Sequence, residues 1–210
     1  MRADTAQGTV EANRRRFDRW APKYGEDRRS QWLGGLQDQA VAALELGPND
    51  RVLDVGCGTG AAVRAAARIA RRAVGVDVSP RMIERAGAWP GTPGNAEFRV
   101  GEAGRLPAED GAFSAVLCTN ALHHYPDPEA AAGEMARALE RGGRLVIGDG
   151  CADIRAARVA DWFLRRFEPG HVRLYRSAEL GAILRRAGFE RLRIRRLWDG
   201  GYVFVRGVKA

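Results

Sequence analysis

Residues 52–60, "VLDVGCGTG", carry the strongest constraint in the chain: an apolar run of strand type passes directly into three glycines and then into the alanine-rich "AAVRAAARIA". The apolar run reads as a strand of a parallel sheet and the alanine-rich stretch as a helix. Glycines at such a junction serve a tight turn or a close approach to bare backbone. A strand-to-helix turn is where open α/β sheets bind nucleotides, because helix N–H groups and the crevice beyond the strand ends lie together there. The letters "GCGTGA" also satisfy the glycine pattern of dinucleotide folds, so the turn alone leaves the ligand open. Asp77, about twenty residues on and ending the next strand, has the chemistry to bind ribose hydroxyls under either reading.

The rest of the chain alternates. Strands are expected at 51–56, 73–77, 96–100, 113–118 and 143–148, with helices at 60–71, 80–88 and 128–140 between most of them. Ser79-Pro80 and Asp127-Pro128 are cap-plus-proline helix starts. Upstream, helical spacing runs over 10–20 and 29–46, the second marked by Trp32, Leu33, Leu36, Ala40, Ala43 and Leu44 and stopped by Gly47-Pro48. The first eight or so residues are expected to fray. The tail breaks the alternation. "SAELGAILRRAG" is a capped amphipathic helix ended by Gly188, and "FERLRIRRLWDGGYVFVRGVK" is two strand-like runs joined by Asp199-Gly200-Gly201, a hairpin signal. A parallel sheet with helices on both faces, finished by an antiparallel hairpin, is the expected architecture.

A chain of 210 residues fits one such domain. No apolar run reaches the roughly 18 residues of a membrane span. The opening "MRADTAQGTVEANRRRFDRW" lacks the apolar middle of a signal peptide, so a cytoplasmic protein without stable membrane insertion is expected. Cys57, Cys118 and Cys151 are odd in number and widely spaced, which suits free thiols. The net charge of +8 comes from arginines spread along the chain; without a clustered stripe this reads as solvated surface, and nucleic acid is the less favoured partner.

Downstream of the glycine turn the chain reads "GVDVSPRMIERA", "GEAGRLPAEDGAFSAV", "TNALHHYPDP", "RALERGGRLVIGD" and "AGFERLRI", with "FDRWAPKY" in the entry helix. In this order and spacing, over roughly 17–208, the sequence resembles the class I S-adenosylmethionine-dependent methyltransferases, in particular the group that includes ubiquinone and menaquinone biosynthesis enzymes. The resemblance implies a Rossmann-like α/β fold with a seven-stranded, mostly parallel sheet and an antiparallel C-terminal hairpin. It implies N-terminal helices over 1–46 as a partial lid, and a cofactor-binding core over 47–210 in which 151–176 is a lid or substrate segment.

The resemblance also implies site roles. Gly56, Cys57 and Gly58 would bring loop backbone against S-adenosylmethionine, with Asp54 fixing the loop and meeting the methionine amino group. Asp77 would take the ribose hydroxyls, Val78 and Met82 would flank the adenine, Glu102 and the Ala103 N–H would address its edge, and Asn120 would contact the methionine end. Glu102 stands where many relatives carry Asp, and "ERGG" replaces a commoner turn with proline. His123 and His124 are candidate general bases, since imidazole takes up a proton near neutral pH. Asp149 ends the fifth strand, where metal-dependent relatives use carboxylates, but no second carboxylate has an evident claim, and the metal-free reading is preferred.

In methyl transfer the cofactor supplies the electrophile, so the sequence reveals the cofactor and hides the acceptor. The acceptor segments are expected to be the N-terminal helices and 151–176, with Tyr24, Trp162, Phe163, His171 and Tyr175 as substrate candidates beside a core reading of the same aromatics. The preferred function is methylation of a small molecule, at oxygen before nitrogen or carbon. An RNA or protein methyltransferase is one alternative, and an NAD- or cofactor-binding protein without transferase activity is another.

Overall fold

The computed structural model describes the backbone of residues 2–24, 28–168 and 170–210, and the side chains of these except 2–5 and 28–33. Two N-terminal helices, α1 (Arg2–Trp20) and α2 (Arg28–Ala43), precede the sheet. Then follow β1 (Arg51–Val55), α3 (Ala61–Ala67), β2 (Arg72–Asp77), α4 (Pro80–Gly87), β3 (Ala96–Val100) and β4 (Phe113–Thr119). The second half comprises α5 (Pro128–Ala138), β5 (Leu139–Gly150), α6 (Arg155–Phe167), α7 (Ser177–Arg186), β6 (Phe189–Leu197) and β7 (Tyr202–Lys209).

The seven strands form one sheet in the order β3-β2-β1-β4-β5-β7-β6. All neighbours are parallel except β7, which runs antiparallel to both β5 and β6. The order reverses between β1 and β4, and a crevice opens beyond the carboxyl ends of strands at such a point. The hairpin closes at Asp199 and Gly200, both in the left-handed region, with φ of 55° and 106°.

Side chains alternate across the sheet with period two, and both faces are covered. Leu53, Val55, Val116, Cys118, Leu145, Ile147, Val203 and Val205 share one core with Met135 of α5 and Leu180, Ile183 and Leu184 of α7. Val52, Ala115, Leu117, Val146 and Phe204 share the other with Leu36, Val41 and Leu44 from α2 and its C-terminal turn and with Val63 and Ala66 of α3. Each fully buried Leu, Ile, Val or Phe contributes about 1.5–3 kcal/mol. Cys57, Cys118 and Cys151 are buried free thiols.

Two of the caps read from sequence are present, Ser79 Oγ accepting from Met82 N at 3.1 Å and Asp127 Oδ1 from Ala130 N at 2.9 Å, whereas Ser177 lies inside α7 and donates to Asp153 while Glu179 accepts from Arg176 N. Several element limits differ from expectation. The third helix ends at Ala67 rather than at 71, because Asn95 Nδ2 caps the Ala67 and Ala70 carbonyls at 2.9 and 3.0 Å and Arg71 N turns back to Asp50 O. The fifth strand starts at Leu139 rather than at 143, since Leu139 already pairs with Phe113 ahead of a register shift. Helix α1 extends back to Arg2, where fraying was expected, and its first turns lie beside Val78 and Glu102. The Trp32 and Leu33 side chains lie outside the described residues.

Candidate functional site

The glycine turn after β1 is shaped by two different demands. Gly56 has φ +80°, and a Cβ there would fall 2.5 Å from Ala121 Cβ and 2.8 Å from the Tyr125 hydroxyl, so the loop after β4 permits no side chain. At Gly58 a Cβ would make only ordinary contact with the Tyr24 ring, at 3.6 Å, and the left-handed φ of +52° is what favours glycine there. The turn is held by Gly56 N and Cys57 N donating to Val76 O, and by Gly58 N donating to Asp77 Oδ2 at 2.9 Å. The other oxygen of Asp77 accepts from Ser79 N at 2.9 Å. One carboxylate thereby fixes both the glycine turn and the start of α4.

Beyond the strand ends lies a cavity of about 300 Å³ lined by Gly56, Gly58, Asp77, Met82, Asn120 and His123, among others. A second, of about 290 Å³, is lined by Val78, Glu102, Ala103 and the α1 residues Ala6, Val10 and Asn13. His124 and Tyr125 border both. Asn120 takes a left-handed φ of 52° at the end of β4 while its N–H donates to Gly148 O at 2.7 Å. Asp54, at the end of β1, is fully buried with neither carboxylate oxygen hydrogen-bonded. Its burial, with Asp77 nearby, pushes its pKa up to about 7; burial likewise raises Asp77, to about 6, against the hydrogen bonds from Ser79 and Gly58.

An unpaired buried carboxylate is costly unless a cation or donors meet it. Asp54 is in the lining of neither cavity, two residues before Gly56; its orphaned carboxylate, together with the ribose-type acceptor Asp77, the backbone at Gly58 and the second cavity with Glu102, fits an adenosyl amino acid bearing an ammonium group. The same set offers Asp54 nothing from a dinucleotide, which carries phosphates instead.

Opposite the glycine turn, Leu122–His124 forms one short 3₁₀ turn. Asp149, buried at the end of β5, holds it: His123 N donates to Asp149 Oδ2 at 3.0 Å, and His123 Nδ1 meets Asp149 Oδ1 at 2.6 Å. The carboxylate also accepts from Gly150 N at 2.7 Å. With the Asp149 carboxylate accepting at Nδ1, the neutral form of the His123 ring carries its proton on Nδ1 and its lone pair on Nε2. His124 Nδ1 faces the Gly170 carbonyl at 3.0 Å, and burial drives its pKa well down, as burial also lowers His171. His171 Nε2 meets Asp161 Oδ1 at 2.8 Å. One nitrogen of each of these three rings lies within 4.8 Å of the others, against the roughly 3.4 Å separating two nitrogens bound to one zinc ion. Among the described residues this is the one grouping with donors suited to a transition metal.

Helix α1 roofs the first cavity with Arg16, Phe17, Trp20 and, just past its end, Tyr24. Phe17 sets its edge against His124 at 5.1 Å, and Trp20 packs on Tyr24 at 4.6 Å. The roof is anchored on both sides: Asp18 accepts from Ser79 Oγ at 2.6 Å, and Arg16 pairs with Glu168. Asn13, buried, donates to His124 O at 2.7 Å. Asn13, Asp18 and Tyr125 were not singled out from sequence, although Asn13, Phe17, Trp20 and Tyr24 recur at the spacing of one helical face. Tyr125, whose hydroxyl donates to Val55 O at 3.1 Å, gives no sequence signal apart from its place after the histidines.

Five expected site residues sit elsewhere. Cys57 turns its sulfur into the core, where a Cβ on Gly75 would lie 2.7 Å from it, so only its backbone belongs to the turn. Tyr175 is buried in the core behind β5 with the Arg173 guanidinium over its ring. Trp162 and Phe163 line neither cavity, because α6 turns Ala157, Asp161 and Leu164 toward the body and these aromatics toward solvent. His171 lines neither cavity but reaches the site through His123, ring centroids 5.4 Å apart.

Comparisons with known proteins agree with this geometry. A family described as a methyltransferase domain matches residues 53–147. The ubiquinone biosynthesis O-methyltransferase of Xanthomonas axonopodis pv. citri is 31% identical over 182 residues, covering 82% of this chain and 76% of that protein. The 27-O-demethylrifamycin SV methyltransferase of Amycolatopsis mediterranei is 36% identical over 118 residues, 54% of this chain and 43% of that one. The chain spans about half the length of several of the curated relatives it matches. Among solved structures, magnesium protoporphyrin IX methyltransferase from Synechocystis with bound S-adenosylhomocysteine superposes with a TM-score of 0.72 at 21% identity, over 94% of this chain and 96% of that one. That likeness shows the fold.

Proposed function

The chain belongs to the class I S-adenosylmethionine-dependent methyltransferases, and on that premise we propose that it methylates a small-molecule acceptor at oxygen. The observation that carries the choice of oxygen is the His123–Asp149 pair on the wall of the first cavity. A hydroxyl must lose its proton as it is methylated, whereas a neutral amine has a lone pair ready; a positioned imidazole with Nε2 free serves the first case.

S-adenosylmethionine, when bound, supplies an electrophilic methyl group on a sulfonium. Asp54 meets the methionine ammonium, the Gly56 and Gly58 backbone and Asn120 shape the bed of the methionine chain, and Asp77 accepts from the ribose hydroxyls. Val78, Met82, Glu102 and Ala103 form the adenine side. His123 Nε2 takes the acceptor proton while Asp149 holds Nδ1–H and stabilises the imidazolium. His124 is spoken for by Gly170 O and serves the wall. Phe17, Trp20 and Tyr24 exclude water and hold the acceptor, which gives the N-terminal helices the role of a partial lid.

The direct test supplies labelled S-adenosylmethionine with a panel of phenols, hydroxyquinones and amines, and with bulk RNA. Transfer to a hydroxyl of a small acceptor is expected. Transfer to RNA with none to any small acceptor overturns the reading.

Cofactor affinity should also depend on pH. The native pKa values of Asp54 and Asp77, about 7 and about 6, lie above their unfolded values. Between about pH 4 and 7 the folded apoprotein therefore binds more protons than the unfolded chain, and the contribution of these two groups to stability falls as pH rises through that window. A ligand ammonium reverses the preference by favouring ionised Asp54, with Asp77 and, beyond it, Asp18 the neighbouring carboxylates. S-adenosylhomocysteine should accordingly bind more weakly at pH 5.5 than at pH 8 and release protons on binding at pH 6. Calorimetry in two buffers of different ionisation enthalpy reads that release, and its absence removes Asp54 from the ammonium site.

A further inference from the structure

Helix α6 has no buried residue. Its inner side is fixed: Asp161 accepts from Leu174 N at 2.6 Å and meets His171 Nε2 at 2.8 Å. The opposite side therefore faces outward, and there Val159, Trp162, Phe163 and Phe167, at i, i+3, i+4 and i+8, are between 51% and 69% exposed. The aromatics are not scattered. Trp162 meets Phe163 edge-on at 4.8 Å and Phe163 stacks on Phe167 at 6.3 Å, making one continuous apolar ridge. Soluble proteins rarely expose such a ridge without using it.

The charges around it point to the occupant. Arg155, Arg158, Arg165 and Arg166 are all exposed, and none is in an ion pair among the described residues. Among the described residues, arginines such as Arg51, Arg72, Arg137, Arg144 and Arg206 are matched with carboxylates and others such as Arg68, Arg105 and Arg141 are not, so what marks α6 is four unmatched arginines on the one helix that carries the apolar ridge. We propose that α6 is a membrane-surface helix, which lays its apolar ridge into the interface of a bilayer and sets its four arginines against anionic phospholipid headgroups. An interfacial helix of this kind pairs an aromatic and aliphatic face with flanking cations, and it needs no spanning segment. No helix of the chain is long and apolar enough to cross a membrane among the described residues, so the contact is with one leaflet surface. A second copy docked face to face would press four arginines against another four with no carboxylate between them. A nucleic acid would satisfy the arginines and leave Val159 in water.

The test is flotation of the purified chain with vesicles of phosphatidylcholine alone and of phosphatidylcholine with phosphatidylglycerol. Binding is expected only to the anionic vesicles, weakening at high salt. The triple variant Trp162→Ala, Phe163→Ala, Phe167→Ala and the quadruple Arg→Gln variant at 155, 158, 165 and 166 should each lose about tenfold or more of it. S-adenosylhomocysteine affinity, measured on the same preparations, should stay at the parent value and reports that each variant is folded. This readout is independent of the acceptor, so failure of the methylation assay leaves the membrane result standing, and the reverse. Trp162→Phe should keep binding while removing a lipid-induced blue shift in tryptophan emission. Equal flotation of parent and variants overturns the proposal, as does no flotation with anionic vesicles. A concentration-dependent dimer lost in the aromatic triple variant assigns the ridge to a second copy, and salt-sensitive RNA binding lost in the arginine variant assigns it to nucleic acid; either overturns it.

Discussion

His123→Gln is expected to lower turnover by about 10²- to 10⁴-fold, the range of a positioned acid–base group, while S-adenosylhomocysteine affinity stays at the parent value. The asymmetry follows from placement. His123 lies against the end of β5, joined to Asp149 by Nδ1 and by its own N–H, whereas the cofactor-side residues Asp54, Asp77 and Gly58 hang from β1 and β2. Asp149→Asn should cost nearly as much, because an amide can present its NH₂ to the ring and turn the lone pair of the imidazole away from the acceptor. A merely structural role is separable by pH. A phenolic acceptor that ionises by itself at alkaline pH no longer needs a base, so the deficit of His123→Gln should shrink as pH rises toward 10, whereas a packing defect would persist. A constant deficit across pH, or full activity in both variants, removes His123 as the base and leaves proximity and orientation alone to account for transfer.

The parts of this site that were legible in the sequence are those set by local backbone chemistry. Gly56 and Gly58 announce a turn because the close approach of Ala121 leaves no room for a side chain at one position and a left-handed φ favours glycine at the other. Ser79 and Asp127 announce helix starts through caps that are found in place. The antiparallel hairpin was readable from Asp199-Gly200-Gly201, and alternation supplied the parallel sheet. What pairs residues far apart was not readable. Nothing local joins His123 to Asp149, or Asp18 of the entry helix to Ser79; those contacts exist because β4 and β5 are neighbours and because α1 crosses the strand ends.

Helix α6 shows the limit most clearly. Its periodicity is helical in the sequence, but periodicity gives the angular relation between Trp162 and Asp161 and not which of them faces the body. The sequence offers Trp162 and Phe163 as core or as part of a roof shared with Phe17, Trp20 and Tyr24; the bonds of Asp161 turn them to solvent and into neither role. The part of that roof from the N-terminal segment, Phe17, Trp20 and Tyr24, does line the first cavity.

Asp77→Ala should weaken S-adenosylhomocysteine binding by about 10²-fold, the equivalent of two charge-assisted hydrogen bonds of about 1.5 kcal/mol each. The structure adds a complication, since both oxygens of Asp77 already serve the protein, accepting from Gly58 N and Ser79 N at 2.9 Å each. Each carboxylate oxygen has a second lone pair, so supporting the glycine turn and binding the ribose are compatible. A loss of affinity in the variant therefore mixes two effects. Ser79 N is buried and would lose its acceptor, which costs about 1–3 kcal/mol of stability. The two contributions separate in a cycle that pairs the protein change with a ligand change, the 2′,3′-dideoxy form of S-adenosylhomocysteine. If Asp77 holds the ribose hydroxyls, the parent protein distinguishes the two ligands strongly and Asp77→Ala hardly at all. If Asp77 only supports the turn, both ligands lose equally when it is replaced, and the parent's preference survives in the variant. Asp77→Asn refines the result: it keeps one acceptor oxygen and the shape of the side chain, so thermal stability should fall less than in Asp77→Ala while ribose discrimination is still reduced.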